Sequence, residues 1–228
     1  MRKIAFLMIV LLMACSAALA QEQVPKKTLW AKQFPATDLN LDVRYSTELK
    51  RLYIQVDTQV AKTAIDNFAL NGFFLPRDAR IVGLWINGKP SRILFVGKLQ
   101  PGNFNPAITS ADLLSDNSPA RYHVMALNGY AEYPDMVKVN LSYYLDMPDF
   151  QPNSLNQMYT LLKPDKFWYP RNINVPTNVK IKVVTTTYMR LMLGDALVPF
   201  TDKDYMREHV ASFRDDPAEP LSFRLTRE

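Results

Sequence analysis

Short stretches in which apolar and polar residues alternate recur along most of the chain. Side chains of a β-strand point alternately to its two faces, so this two-residue period predicts strands with one buried face. No stretch keeps the longer period of an amphipathic helix over several turns. The clearest alternating or β-branched stretches are residues 39–45, 52–57, 136–145, 179–186, 207–213 and 221–225.

Turn-forming residues separate these stretches and predict two hairpins. Asn87-Gly88 lies between the apolar residues 80–86 and 91–96. Asn and Gly tolerate the positive φ angles of a tight turn, so the two flanking stretches are expected to pair. Gly194-Asp195 divides residues 188–198 in the same way and predicts a second hairpin.

The number and spacing of these stretches predict the fold class. Short strands with a turn about every ten residues are typical of β-sandwiches. We therefore expect a mostly-β fold, an antiparallel β-sandwich-like single domain with few short helices. We place this domain at residues 38–228, after an N-terminal lead at residues 21–37. Residues 73–76 are predicted to be a buried edge strand, and residues 101–120 a long loop with a short helix at residues 110–114.

The N-terminus has the features of an export signal. A positively charged start, Met1-Arg2-Lys3, precedes the uncharged and mostly apolar residues 4–14, which are too few to span a bilayer. Ala18-Leu19-Ala20 then places small residues where signal peptidase requires them, just before Gln21. Residues 1–20 are therefore predicted to be a cleavable signal peptide. We expect the mature protein in the periplasm or cell envelope of a bacterium.

The same segment contains Cys15, the only cysteine of the chain. Residues 12–15 (Leu-Met-Ala-Cys) resemble a lipobox, in which Cys15 would be lipidated and become the first mature residue. Cleavage after Ala20 would instead leave a mature chain with no disulfide, no thiol nucleophile and no thiolate metal site. Both processing routes stay open, and we expect contact with a membrane only if Cys15 is lipidated.

The charge distribution argues against a nucleic-acid partner. The chain has a formal net charge of +5 at pH 7, but its basic residues are scattered. Nucleic-acid binding needs a basic stripe or patch that follows the phosphates. No such patch is visible in the sequence.

The residues that commonly carry catalysis do not form a recognisable set. The two histidines, His123 and His209, both lie in predicted strands, and no His-x-x-x-His pair is present to start a zinc site. The chain also lacks Gly-x-Ser-x-Gly and a glycine-rich phosphate loop. Asp215-Asp216 lies in a turn-like context, where aspartate commonly caps the backbone. We therefore expect no catalytic residue, no cofactor and no metal.

One aromatic run is the candidate ligand surface. Phe167, Trp168 and Tyr169 are consecutive, and Arg171 follows two positions later. An exposed run of this kind could hold a carbohydrate or a peptide. The alternative is a loop that packs inward and closes the core.

The order of several short motifs resembles the N-terminal β domain of the aminopeptidase N-type zinc metallopeptidases. These motifs are the Asn-Gly hairpin at residues 81–88, the strand at residues 137–143, Trp168-Tyr169-Pro170 before the strand at residues 179–183, and residues 211–217 with their terminal proline. The resemblance covers residues 38–225. It implies the fold of a domain that serves those enzymes mainly as a scaffold.

The catalytic motifs of that family are missing from these 228 residues. Neither the His-Glu-x-x-His zinc helix nor the Gly-x-Met-x-Asn substrate loop is present, so no catalytic residue carries over to this sequence. We therefore expect an exported, non-enzymatic β module that binds or scaffolds a protein or peptide partner. An envelope carrier of an apolar ligand and a hydrolase that uses carboxylates are the alternatives.

Overall fold

The computed structural model describes residues 30–94 and 115–227, and this part of the chain is mostly β. Its helical structure consists of three 3₁₀ turns, at Lys62–Ala64, Tyr130–Glu132 and Pro164–Lys166. No helix in this part is long and apolar enough to cross a bilayer. The strands are β1 (Ala31–Gln33), β2 (Asp38–Ser46), β3 (Arg51–Ala61), β4 (Leu70–Pro76), β5 (Arg80–Ile86), β6 (Lys89–Ser91), β7 (Ile93–Leu94), β8 (Ala120–Met125), β9 (Met136–Asp146), β10 (Gln151–Pro152), β11 (Met158–Leu162), β12 (Thr177–Thr186), β13 (Met189–Leu193), β14 (Ala196–Leu197), β15 (Phe200–Lys203), β16 (Met206–Asp215) and β17 (Phe223–Arg227).

The strands form three sheets. The largest has eight strands in the order β15-β16-β12-β2-β3-β9-β5-β6. The two smaller sheets have the orders β1-β4-β8-β7 and β10-β11-β17-β13-β14. The predicted mostly-β single domain is thus confirmed. Five of the six clearest sequence stretches lie within strands, and the sixth, residues 221–225, overlaps β17 from Phe223 onward.

Two pairings depart from an all-antiparallel sandwich. β12 pairs with β2 in parallel, and so does β1 with β4. A central pair such as β2 and β12 can be parallel because a long connection, here more than half of the domain, returns the chain in the same direction. Alternation within a strand does not encode the direction of its neighbour, so the sequence pattern could not reveal these pairings.

The main core lies between the large sheet and the two smaller ones. Each long strand of the large sheet buries every second side chain, as in β2, where Leu39, Leu41 and Val43 are at most 2% exposed. Leu75 of β4 and Phe223 of β17 belong to the same cluster, which therefore joins all three sheets. A smaller cluster lies on the other side of β4 and is built around Phe74, Tyr122 and Phe167. It also contains Ala31, Ala120 and Val124.

Two boundaries differ from the sequence-based expectation. The folded part begins before residue 38, because Ala31 lies in β1 and Phe34 is only 2% exposed. β4 likewise begins before residue 73, at Leu70: its first residues, Leu70–Gly72, pair with β1, whereas residues 73–76 pair with β8 alone, which agrees with the predicted edge. Residues 73–76 are buried on both faces.

Both predicted turns join paired strands, but the second arm of the first hairpin differs from the prediction, because β5 pairs with Lys89–Ser91 (β6) and Ile93–Leu94 (β7) pairs with β8 in another sheet. β5 pairs with β6 across Asn87 and Gly88, whose φ angles are 51° and 76°. β13 pairs with β14 across the turn that contains Gly194. The predicted helix at residues 110–114 lies outside the described residues, as do residues 1–20 with Cys15.

Candidate functional site

The aromatic run that sequence analysis singled out is not an exposed surface. Phe167, Trp168 and Tyr169 are 8%, 1% and 1% exposed, and Arg171 is 7% exposed. The Trp168 ring packs against Tyr169 and Phe223, with centroid distances of 4.5 Å and 5.0 Å. The segment is therefore part of the core, which corrects the interpretation of these four residues as a ligand surface.

Hydrogen bonds fix this segment in the interior. The Tyr143 hydroxyl donates to the Trp168 carbonyl oxygen at 2.8 Å, and the Trp168 indole N–H donates to the Leu221 carbonyl oxygen at 3.3 Å. Phe167 has a φ angle of 51°, directly after the 3₁₀ turn, which reverses the chain toward the core. Trp168 and Tyr169 thus close the space between the large sheet and β17, whereas Phe167 packs against Phe74 in the smaller cluster.

The structure brings Arg171 against Asp215, a residue that the sequence placed in a turn. The guanidinium Nε lies 3.6 Å from a carboxylate oxygen of Asp215, and both side chains are buried. Arg171 also donates from Nη2 to the Pro217 carbonyl oxygen at 3.3 Å. Burial raises the pKa of Asp215, while the charge of Arg171 acts in the opposite direction. This buried ion pair connects the aromatic segment to the end of β16.

The two histidines lie in different sheets and do not form a site together. His209, in β16, is fully buried, and its Nδ1 lies 3.5 Å from the Val198 carbonyl oxygen. His123, in β8, is half-buried, with Nδ1 3.0 Å from the Arg121 carbonyl oxygen. Burial lowers the pKa of both rings, so the neutral form is favoured. Across residues 30–94 and 115–227, no three His, Cys, Asp or Glu residues are placed to hold a metal ion.

The outer face of the large sheet, meaning its solvent-facing side, is the candidate binding surface. It contains a groove of about 340 Å³, which we call the large groove and which crosses strands β16, β12, β2 and β3. The polar residues that line the large groove are Asn40, Asp42, Asp57, Lys180, Lys182 and Ser212. These side chains occupy the outward positions of strands whose other positions build the core.

A second groove adjoins the first. This small groove has a volume of about 250 Å³, and Asp42 lines both grooves. Its lining also includes Tyr53, Gln55, Ser142 and the exposed Val82, so it extends across β3 and β9 to β5. The two grooves together cross six adjacent strands, a distance of about 24 Å at the usual spacing of paired strands.

The charges of the large groove balance. Asp42 and Asp57 supply two negative charges, and Lys180 and Lys182 supply two positive ones. The Lys182 ammonium lies 3.7 Å from carboxylate oxygens of both Asp42 and Glu208. The charged side chains of the groove therefore balance, and the groove suits a ligand with no large net charge.

The sequence alone does not reveal this surface. Alternation marks Asn40, Asp42, Lys180 and Lys182 as outward positions within their own strands, which is the signal that was available. It does not show that β12 lies beside β2, since about 130 residues separate the two strands in the chain. The grooves exist only because the parallel pairing brings those polar rows together.

The comparisons with known proteins give a likeness in fold alone. No protein-family model and no curated protein matches the sequence. The solved structure of native leukotriene A4 hydrolase from Saccharomyces cerevisiae matches with a TM-score of 0.55 and 10% identity, covering 84% of this chain and 28% of that one. The yeast enzyme in complex with bestatin matches with a TM-score of 0.52 and 9% identity, covering 83% and 28%.

These matches confirm the resemblance to a zinc metallopeptidase β domain at the level of the fold. An M1 zinc metallopeptidase from Deinococcus radiodurans also matches, with a TM-score of 0.48, 12% identity, and coverage of 83% of this chain and 41% of that one. This chain spans only 28% of the length of the yeast enzymes, so the likeness concerns one part of those proteins. At such low identity, the activity of the whole enzymes does not transfer.

Proposed function

We propose that this chain is an exported, non-enzymatic β module that binds or scaffolds a protein or peptide partner in the bacterial envelope. The partner docks on the outer face of the large sheet. The observation that carries this proposal is the pair of joined grooves across six strands of that face. A surface of this length can hold an extended segment of a partner rather than a single small molecule.

Export is the part of the proposal that rests on sequence. Residues 1–20 have the charge, apolar run and small residues of a signal peptide. Lipidation at Cys15 would tether the module to a membrane, and cleavage after Ala20 would release it. Either route delivers the outer face to partners outside the cytoplasm.

A hydrolase that uses carboxylates is the second candidate, because Asp42 and Asp57 line the same groove. In the register of β2 and β3 they are diagonal neighbours, which places the two residues about 7–8 Å apart. Glycosidases use carboxylate pairs at about 5–10 Å, but one of the two must be a proton donor in apolar surroundings. Asp42 and Asp57 lie instead in a groove that is open to solvent, beside the polar side chains of Lys182 and Asn140. This setting favours binding over hydrolysis.

The carrier alternative has less support. An apolar ligand needs an enclosed apolar cavity, whereas both grooves described above open to solvent and carry charged side chains. The space between the sheets is filled by large side chains, among them Trp168, Tyr143 and Phe223, each at most 1% exposed.

Affinity capture from the native envelope tests the proposal. The bait is the full mature protein, compared with three variants that each introduce one arginine: Ser142→Arg and Ser212→Arg on the outer face, and Ser154→Arg in the exposed turn between β10 and β11. We expect wild type and Ser154→Arg to recover the same stoichiometric partner, and both face variants to lose it. Equal recovery by all four proteins, or no partner with wild type, would overturn the assignment of this face.

A further inference from the structure

Two charges in one row of the large groove lack an ionic partner. In the sheet register Lys180 of β12 lies beside Asn40 of β2, and Asn40 lies beside Asp57 of β3. In the described part of the chain neither Lys180 nor Asp57 takes part in an ion pair, whereas Lys182 contacts two carboxylates. Asp57 accepts hydrogen bonds only from amides, those of Asn140 and Gln55. The row therefore presents a positive charge, an amide and a negative charge to a ligand.

A ligand can contact this row only through its outward side chains. β12, β2 and β3 are each paired on both sides within the large sheet. Their backbone N–H and C=O groups are used by the neighbouring strands, so a peptide cannot join here as an additional strand. Recognition in the groove thus depends on the outward side chains and their charges.

The spacing of the row matches one extended peptide conformation. Adjacent strands lie about 4.8 Å apart, so the positions of Lys180 and Asp57, two strands apart, are separated by about 9.6 Å. A polyproline II segment rises about 3.1 Å per residue with three residues per turn. Residues three positions apart in such a segment therefore lie on the same side, about 9.3 Å from each other.

We infer that the large groove binds an extended, polyproline II-like peptide segment with one acidic and one basic side chain three positions apart. The acidic side chain pairs with Lys180, the basic one with Asp57, and the backbone between them passes over Asn40. This inference rests on the proposed function, because it names the chemistry of the partner for the same face. The segment has no net charge, in agreement with the balanced charge of the groove.

The strength of such binding follows from the exposure of the groove. Both ion pairs form near solvent, so each contributes modestly and is screened by salt. A short peptide is expected to bind weakly, and loss of one pair is expected to weaken binding about two- to threefold, so that loss of both weakens it about fivefold. A larger partner would add contacts along the small groove.

Peptide titration followed by NMR of the ¹⁵N-labelled full mature protein tests the inference. The probe is acetyl-Ala-Glu-Pro-Pro-Lys-Ala-amide, compared with peptides in which the two charged residues are both Gln, both Glu or both Lys. We expect the Glu/Lys peptide to shift amides of β12, β2 and β3, and to bind about fivefold more tightly than the peptide with two Gln.

Charge reversal makes the test specific. Lys180→Glu should shift the preference to the peptide with two Lys, and Asp57→Lys to the peptide with two Glu. Lys163→Glu, a matched reversal at an exposed position outside the groove, should leave the original preference unchanged. Equal affinities for all four peptides, no binding at all, or preferences that the reversals do not move would overturn the inference.

The result of the peptide titration can be distinguished from the result of the partner capture that tests the proposed function. If partner capture depends on Ser142 and Ser212 but no charge preference appears, the module stands and this inference fails. Binding of a neutral oligosaccharide such as cellohexaose to the same amides, without any effect of charge reversal, would likewise overturn it. If both capture and peptide binding fail, neither proposal survives.

Discussion

Removing one partner of the buried Arg171–Asp215 ion pair should cost a large share of the stability of the fold. Arg171 and Asp215 are 7% and 1% exposed, so neither charge can be solvated by water if the other is removed. In Asp215→Asn the guanidinium stays charged and buried, and breaking such a pair typically costs about 3–5 kcal/mol. Since domains unfold with about 5–15 kcal/mol in total, the loss should be obvious in urea unfolding.

The variants Asp215→Asn and Arg171→Met should differ in how their stability depends on pH. Arginine cannot lose its proton, so Asp215→Asn keeps an unpaired buried charge at every pH, and its cost relative to wild type should shrink only at acid pH, where Asp215 of the wild type is itself protonated. In Arg171→Met the lone carboxyl group can take up a proton, because burial raises the pKa of Asp215. The folded state then binds that proton more tightly than the unfolded state, so stability should be retained at acid pH and lost as the pH rises through the folded pKa.

Two controls make the result interpretable. Lys50→Met removes an exposed pair with Asp149, whose side chains are 59% and 69% exposed, and should change the free energy of unfolding by less than about 1 kcal/mol. The double variant Arg171→Met/Asp215→Leu removes both charges and should recover most of the stability lost in Asp215→Asn. An Asp215→Asn variant as stable as Lys50→Met would refute the reasoning.

Three further predictions concern other parts of the chain. The free energy of unfolding should rise as the pH increases toward the ordinary histidine pKa of about 6.5, because the unfolded state binds a proton that buried His209 excludes. In His209→Leu the free energy of unfolding should depend less on pH. The same pH profile in the variant and in wild type would contradict this prediction. Gly72→Ala should cost about 1–3 kcal/mol in urea unfolding, because an added Cβ would lie 2.2 Å from the backbone oxygen of His123, and a neutral effect would show that the strands separate freely. Mass spectrometry of the mature N-terminus should find either Gln21 or a lipidated Cys15, and an intact Met1 would disprove export.

Much of the fold could be predicted from the sequence because its signals are local. The alternation in residues 39–45 indicates which face of that strand is buried, and Asn87-Gly88 indicates a turn at the same place. Both predictions can be made without knowing the neighbouring strands. β15, at Phe200–Lys203, was not predicted, because all four of its residues are exposed and its pattern has no buried face. The direction of each strand and the order of strands in a sheet depend on distant segments, so no local sequence pattern predicts them.

The candidate site was harder to predict for the same reason. The run at residues 167–169 stands out in the sequence, but an aromatic run fits a binding surface and a packed core equally well. Its burial depends on β17 and on the partner of Arg171, which lie more than 40 residues away along the chain. The grooves of the outer face depend on the register of six strands, which no single stretch encodes.

Photo-crosslinking in the cells that produce the protein is the most direct test of the proposed binding face, because it identifies the face that contacts a partner in place. A photoreactive phenylalanine analogue would be introduced at Gln55, which lines the small groove, and separately at Ser154, in the exposed turn between β10 and β11. If the outer face binds the partner, one protein should be crosslinked from Gln55 and be absent from the Ser154 sample. Crosslinking of the same proteins from both positions, or of none from Gln55, would contradict it.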